Sequence, residues 1–529
     1  MAESPCNVDG LGLEELKSLL VQVLEDNARL KAEVAALREE NARLKGLKGR
    51  PQIKPSKPSG MEKATEPQGK RARRIGRRKS KRAKLTIDET TIIKAQDVPG
   101  DARFKGYEEF IVQDLIVRTR TTLYRRERWQ LTSGETVVAP LPAGVTSHFG
   151  PELKRFVLAQ YHQGQTTMPR LLGLLQGLGL DISKRQLVRL HNAGHEAFLG
   201  EARDVLRAGL QAASWITVDD TGARHKAKNG FCTQLGNDAF TAFVTTGSKS
   251  RLNFLEVLNA GDTIHLVNDP ALAYMREHGL PHSAVAQLAA QPQKSFPDRA
   301  AWTAHLSGLG ITALPVHHDP VRIATEGALW GNLSAQGLID GTVILSDGAG
   351  QFDIGTHAQC WVHAERLVHK LDAFTEERRV AKEAIRARIW QLYADLKAYA
   401  LAPTPAAKTE LSERFDAIFT TSTCFALLNR LLKRLLAKKA KLLAVLDRPD
   451  VPLHTNGSEN DIRTPVTRRK VSRGTRSDAG RDCRDAFLSL MKTCSKQAIR
   501  SWDYLGCRLA VPGAPVVANL PALIRPGPS

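Results

Sequence analysis

Two short apolar runs, each closing on aspartate, constrain this chain more than any other feature. Trp215-Ile216-Thr217-Val218 ends at Asp219-Asp220, and Thr342-Val343-Ile344-Leu345-Ser346 ends at Asp347. Short β-branched runs bounded by turn residues read as buried strands. A carboxylate at such a strand's end stands at the rim of a sheet, where α/β folds bind their ligands. A third acid, Glu459, lies in the strongly basic stretch His454–Arg476, HTNGSENDIRTPVTRRKVSRGTR. There Asn456, Glu459 and Arg463 fall at i, i+3 and i+7, so a helix puts them on one face. Pro465 is expected to break or kink that helix. Three carboxylates from distant parts of a chain make a hard-oxygen donor set of the kind magnesium or manganese prefers. Two such ions about 3.5–4 Å apart can clamp the attacking and leaving oxygens of a phosphoryl displacement. The competing reading of Glu459 is a surface ion pair with Arg463, an arrangement that usually contributes little.

Charge and length narrow the function classes. The 529 residues predict several domains, and a formal net charge of +21 predicts a polyanionic partner. No run approaches the roughly 18 apolar residues of a membrane span. The N-terminus MAESPCNVDG has no apolar signal core, which argues against export and for a cytoplasmic, nucleoid-associated protein. The seven cysteines, at 6, 232, 360, 424, 483, 494 and 507, are odd in number and irregular in spacing, which argues against a disulfide framework.

Residues 11–47 carry heptads. One seam reads Leu16, Val23, Leu30, Leu37, Leu44 and the other Leu13, Leu20, Asn27, Val34, Asn41. The pattern predicts a leucine-zipper coiled coil, with buried asparagines favouring a parallel homodimer; the alternative is one amphipathic helix packed on the body of the protein. Residues 48–84 carry fifteen lysines and arginines against Glu62 and Glu66, with almost no large apolar side chains. Such a segment cannot fold alone and reads as a basic disordered arm for nucleic acid or a solubilising linker. Residues 85–146 alternate apolar and polar, as in Glu109–Gln113, and predict a small β-rich module.

Residues 147–212 read as helices. Pro169 suits a helix start, Gly177–Leu180 a turn, and Ser183 with Gln186 a capping box opening a basic helix that bears Lys184, Arg185 and Arg189. That outline fits a helix-turn-helix reader of double-stranded DNA, or a helical hairpin leading into the core. Residues 213–510 form the main body. Its opening strands are expected at Trp215–Val218, Phe231–Leu235 and Phe240–Thr245. Asp219 and Asp220 should point to opposite faces of the first, so only one of them serves as a ligand. Helical inserts are expected at about 268–338 and 373–446, the second containing the basic amphipathic run Asn429–Leu443. Cys360 and His363 share a helical face but lack a second Cys/His pair, which favours a packed pair over zinc. The tail, 511–529, is Pro- and Gly-rich and reads as irregular.

Four segments carry a family resemblance: VDDTGARH, ILSDGAGQF, CWVHAERLVHKL and TNGSENDIRTPVTRRK. In this order they resemble the core motifs of the insertion-sequence-66-type bacterial DDE transposases, over residues from about 147 to 510. One departure is Arg463-Thr464-Pro465, a residue looser than the family's usual Arg-Pro. The resemblance implies a multidomain α/β protein whose RNase H-like catalytic core cuts transposon ends and joins the freed 3′ ends to target DNA. It implies two Mg2+ or Mn2+ ions on Asp219, Asp347 and Glu459, choosing Asp219 over Asp220. It implies phosphate contacts from Arg463, Arg468, Arg469 and Lys470, a role for Asn456 in orienting Glu459 or a phosphate, and reach of His363 and Arg366 to the scissile phosphate. Small accessory proteins of the element are possible partners. Family members usually carry a cysteine-rich zinc module near 85–146; with no cysteine between Cys6 and Cys232, a Cys-type zinc site is excluded there. The rival reading is a non-catalytic DNA-binding regulator, or a decayed transposase that only binds DNA.

Overall fold

The computed structural model describes residues 21, 24–27, 29, 30 and 33, and residues 87–524 apart from 97, 98, 100, 101, 143, 144, 146 and 316. The chain divides into two units, Met1–Arg73 and Arg74–Ser529. In the first, the described residues are helical, with Arg29 and Asp26 paired at 2.8 Å. Most of the heptad seams and the basic arm lie outside the described residues.

The second unit opens with a hairpin, β1 (Arg128–Gln130) and β2 (Thr136–Val138), exposed along its length. The other described residues of 87–146 form no helix or strand, so the β-rich expectation reduces here to this hairpin. Helices α1 (Pro151–Leu158), α2 (Met168–Gly177), α3 (Lys184–Asn192) and α4 (Glu196–Ala212) follow, with a π-helical turn at Ala159–Gln163. The expected capping box is formed: Ser183 Oγ accepts from the Gln186 amide, and the Ser183 amide donates to Gln186 Oε1. Gly179 makes the turn between α2 and α3 at φ +83°. Val157, Leu171, Leu175, Ile182 and Leu187 close a small core between these helices.

The central sheet contains β3 (Trp215–His225), β4 (Lys228–Gly236), β5 (Thr241–Thr246), β8 (Val343–Ser346) and β9 (Thr356–Gln359) in the order β5-β4-β3-β8-β9. The first three strands are antiparallel neighbours; β8 and β9 run parallel to β3. Between β5 and β8 lie α5 (Arg251–Leu258), the short pair β6 (His265–Leu266) and β7 (Ser295–Phe296), α6 (Asp269–Glu277), α7 (His282–Ala290), α8 (Arg299–Gly308) and α9 (Pro320–Ala335). The 268–338 insert has its own core, with Trp302 fully buried and Met275, Leu306 and Ile311 around it. After β9 come α10 (Trp361–His369), α11 (Glu376–Leu401), α12 (Pro405–Phe419), α13 (Ala426–Leu436) and α14 (Lys439–Leu442), the last four lying within residues 373–446.

The chain ends with α15 (Asn456–Ser472), α16 (Asp478–Lys496), α17 (Ser501–Arg508) and α18 (Leu520–Ile524). Two expectations are corrected here. Of the break or kink expected at Pro465, the break does not occur: α15 runs through the buried proline, and packing of the helix on β3 and β4 outweighs the lost backbone bond. The tail is not irregular throughout, because α18 buries Leu520 and Ile524 in the main core against α4.

An edge strand exposes alternate backbone groups, and α16 covers those of β5. Asp485, Ser489 and Thr493 accept hydrogen bonds from the amides of Thr245, Phe243 and Thr241 at 2.8, 2.9 and 3.2 Å. Four helical residues rise about 6.0 Å and two strand residues about 6.6 Å, so an i, i+4, i+8 row matches every second strand amide. The cover also blocks further strand addition at that edge.

Candidate active site

Strand pairing brings the first two carboxylates together. Trp215, Ile216 and Thr217 pair with Val343, Ile344 and Leu345, and the same register continued by two residues sets Asp219 beside Asp347. Burial pushes the Asp219 carboxyl up to about 6; the charges of Asp347 and Asp220 add to the shift, and the Asp220 amide and His363 oppose it. That amide donates to Asp219 Oδ1 at 2.7 Å. Asp220 is differently placed: Lys249 pairs with one of its oxygens, and Gln351 Nε2 donates to the other at 2.9 Å.

Asp347 sits just past β8, exposed, with Oδ1 accepting from the Ala349 amide at 2.9 Å. Gly348 takes φ +90°, and a Cβ there would stand 2.8 Å from Gln359 Nε2. Only glycine combines that backbone with that approach. The Gly348 amide donates to Ser346 Oγ at 3.0 Å, and Ser346 Oγ meets His357 Nε2 at 2.8 Å, which fixes the turn from below.

The third carboxylate comes from the first turn of α15. Glu459 Oε1 is buried and accepts no hydrogen bond; His363 Nε2 is 3.6 Å away and Arg366 Nη1 4.0 Å. The surface ion pair with Arg463 is not formed, and Glu459 faces α10 instead. Burial works against the charged form of His363, but Cys360 and Glu459 outweigh it and raise its pKa. Cys360, fully buried, caps α10 with its amide bonded to Ser346 O at 2.8 Å.

The basic residues divide. Arg463 and Lys470 are exposed on α15, and Lys184, Arg185 and Arg189 are exposed on α3. Arg468 departs from the expected phosphate role. It is buried, its guanidinium lies 3.7 Å over the Tyr161 ring, and Nη1 donates to Tyr161 O at 3.1 Å and Thr166 O at 3.3 Å. Arg469 Nη1 donates to Gly222 O. The Asn456 side chain makes no hydrogen bond to Glu459 among the described residues; the Asn456 backbone amide donates to His454 Nδ1 at 3.4 Å.

Sequence reasoning missed three groups. Asp461, two residues after Glu459, is buried and holds α15 to the sheet and to α16 through Thr241 Oγ1 at 2.5 Å and Lys496 at 2.7 Å. Glu365, inside the Cys-Trp-Val-His-Ala-Glu-Arg segment, is buried against Arg386 at 2.7 Å and ties α10 to α11. Lys438, at the head of α14, is depressed in pKa by burial and by Lys441 and Arg434, against the pull of Asp353 and Asp347. The signal for Lys438 was the Lys-Lys-Ala-Lys run; for the two acids there was none beyond their place in a motif.

Among the described residues, no group of three or more His, Cys, Asp and Glu side chains is gathered closely enough to hold a metal ion. The donor chemistry nevertheless fits a hard divalent cation. The candidate ligands are carboxylates, like charge and burial raise Asp219, and Glu459 Oε1 is a buried acceptor without a donor.

Comparison with known proteins adds two findings. The family described as Transposase IS66 family matches residues 336–482. The Uncharacterized protein y4jO of Sinorhizobium fredii (strain NBRC 101917 / NGR234) is 44% identical over 320 residues, 60% of this chain and 99% of that protein.

Proposed function

The chain belongs to the Transposase IS66 family, and from that premise we propose that it is a DNA transposase cutting transposon ends and joining them to target DNA. One observation carries the catalytic reading: the β3–β8 register sets Asp219 beside Asp347 while α15 presents Glu459 to the same region. The strand order supports an RNase H-like core. Counted along the chain within the sheet, it reads 3-2-1-4-5, with only the second strand antiparallel to the others.

In this reading Asp219, Asp347 and Glu459 would hold two magnesium or manganese ions, whose charge would favour an attacking oxygen and stabilise a leaving one. The Ala349 amide and the Gly348 turn aim Asp347. His363 and Arg366 hold the Glu459 side chain and stand near a bound phosphate. Arg463, Arg469 and Lys470 position the DNA backbone, and α3 enters the major groove with Lys184, Arg185 and Arg189. Residues 48–84 add sequence-independent affinity, and residues 11–47 pair two copies.

The test is cleavage of labelled duplex carrying the element's own ends and host flanks, with and without magnesium or manganese, beside Glu459→Gln. Metal-dependent nicking at the end, lost in the variant, is the expected result. Tight binding without nicking under every metal condition would instead favour the regulator.

A further inference from the structure

A hollow of about 530 Å³ opens between the β3–β4 hairpin and the end of α15. Its walls include Gly222, Arg224, Asn229, Phe231, Arg469 and Arg473, and no carboxylate. Neighbouring cations are neutralised: Lys226 by Asp478 and Lys249 by Asp220. Two of the arginines reach carbonyls, Arg224 that of Ala227 at 3.4 Å and Arg469 that of Gly222, and among the described residues no ion pair engages any of the three.

The backbone around this hollow is held in costly conformations. The hairpin turns through Lys226 and Ala227, both at positive φ (49° and 62°), where glycine or asparagine is usual. Arg473 has φ +63°. The chain leaving α15 is stitched to the hairpin: the Lys226 amide donates to Thr475 O at 2.8 Å and the Thr475 amide to Arg224 O at 3.0 Å. His225 Nδ1 meets Thr475 Oγ1 at 2.8 Å. A Cβ on Gly474 would stand 2.4 Å from Arg224 O, so only glycine permits the stitch. Strain of this kind clusters at functional sites. Here it keeps three guanidinium groups together with no counter-charge, an arrangement that an anion relieves.

The hollow lies farther along the strand that bears Asp219. Gly222 lies three residues beyond Asp219 on β3, about 10 Å along the strand. One strand of duplex DNA advances about 3.4 Å per nucleotide, so that distance is roughly three nucleotides. We propose that this arginine hollow binds backbone phosphates of the DNA about three nucleotides from the position cut. The assignment rests on the transposase reading and adds Arg224 and Arg473 to it.

The experiment uses the full chain and the Arg224→Ala/Arg473→Ala double variant, two exposed side chains outside the carboxylate cluster. Binding of a fluorescent duplex bearing the element's end is followed by anisotropy against potassium chloride concentration. Every phosphate that the protein no longer neutralises lowers the log–log slope by about 0.9, so the double variant should bind with a slope shallower by about 2 at an unchanged melting temperature. Neutral methylphosphonates placed singly along the duplex give the position. Those about three nucleotides from the cut should weaken the wild type and leave the double variant unaffected, as expected for coupled sites. An unchanged slope, or equal methylphosphonate effects in both proteins, overturns the hollow alone if Glu459-dependent cleavage is intact. A wild-type chain without salt-dependent DNA binding overturns both the hollow and the transposase reading.

Discussion

Glu459 on α15 and His363 on α10 face each other at 3.6 Å, and the carboxylate favours the charged form of the imidazole. Neither element is near the other in sequence, so this pair fixes how the third acid is presented. His363→Ala leaves Glu459 without its nearest cation. If Glu459 is a metal ligand, as proposed above, cleavage should fall about 10- to 100-fold, the usual loss for a group supporting such a ligand. Single-turnover cleavage alongside a melting curve checks it; a full rate in the variant would remove His363 from the site.

Arg468 and Arg463 are five residues apart on one helix and should behave oppositely. Arg468→Ala removes two charge-assisted bonds to carbonyls and the stacking on Tyr161, at a cost of about 3 kcal/mol. Arg463→Ala should leave stability within about 0.5 kcal/mol and weaken DNA binding. Urea midpoints and DNA titrations on both variants separate the roles. Equal stability would show that Arg468 is not the clamp.

Ser489 accepts from the buried Phe243 amide at 2.9 Å. Ser489→Ala strands that donor at the sheet edge and should cost about 1–3 kcal/mol. Chemical denaturation measures it, and a neutral result would mean that another acceptor takes over.

Three histidines of the helical region are buried together. Burial lowers His162 well below its ordinary range, lowers His191 to about 3, and lowers His195 less. His162 stacks on Phe487 at 4.4 Å and on His191 at 5.0 Å. The folded state therefore binds fewer protons than the unfolded chain. This contribution to stability is present above about pH 6.5 and is lost as pH falls toward the folded values. Melting temperature should drop steeply from pH 6.5 to 4.5, and His162→Phe should flatten the drop by one proton's worth. An identical slope in the variant would place the acid sensitivity elsewhere.

The sequence alone determined the local elements and the three acids. The β-branched runs, the Ser183–Gln186 box and the Gly177–Leu180 turn act through neighbouring residues, so periodicity and turn chemistry reveal them. Asp219, Asp347 and Glu459 were visible because a carboxylate closing an apolar run, or standing in a basic helix, is locally conspicuous, although β3 continues past Asp219 to His225. Tertiary structure alone decided which groups meet. The β3–β8 register, the facing of Glu459 and His363 and the α16 cover of β5 each join residues roughly a hundred or more positions apart, and local propensity holds no information about them. The same packing carried α15 through Pro465, buried Arg468 against Tyr161 and drew the tail into the core. Burial energy summed over a whole helix exceeds the local penalty of one proline, and a long arginine looks the same in sequence whether it points at solvent or at a carbonyl.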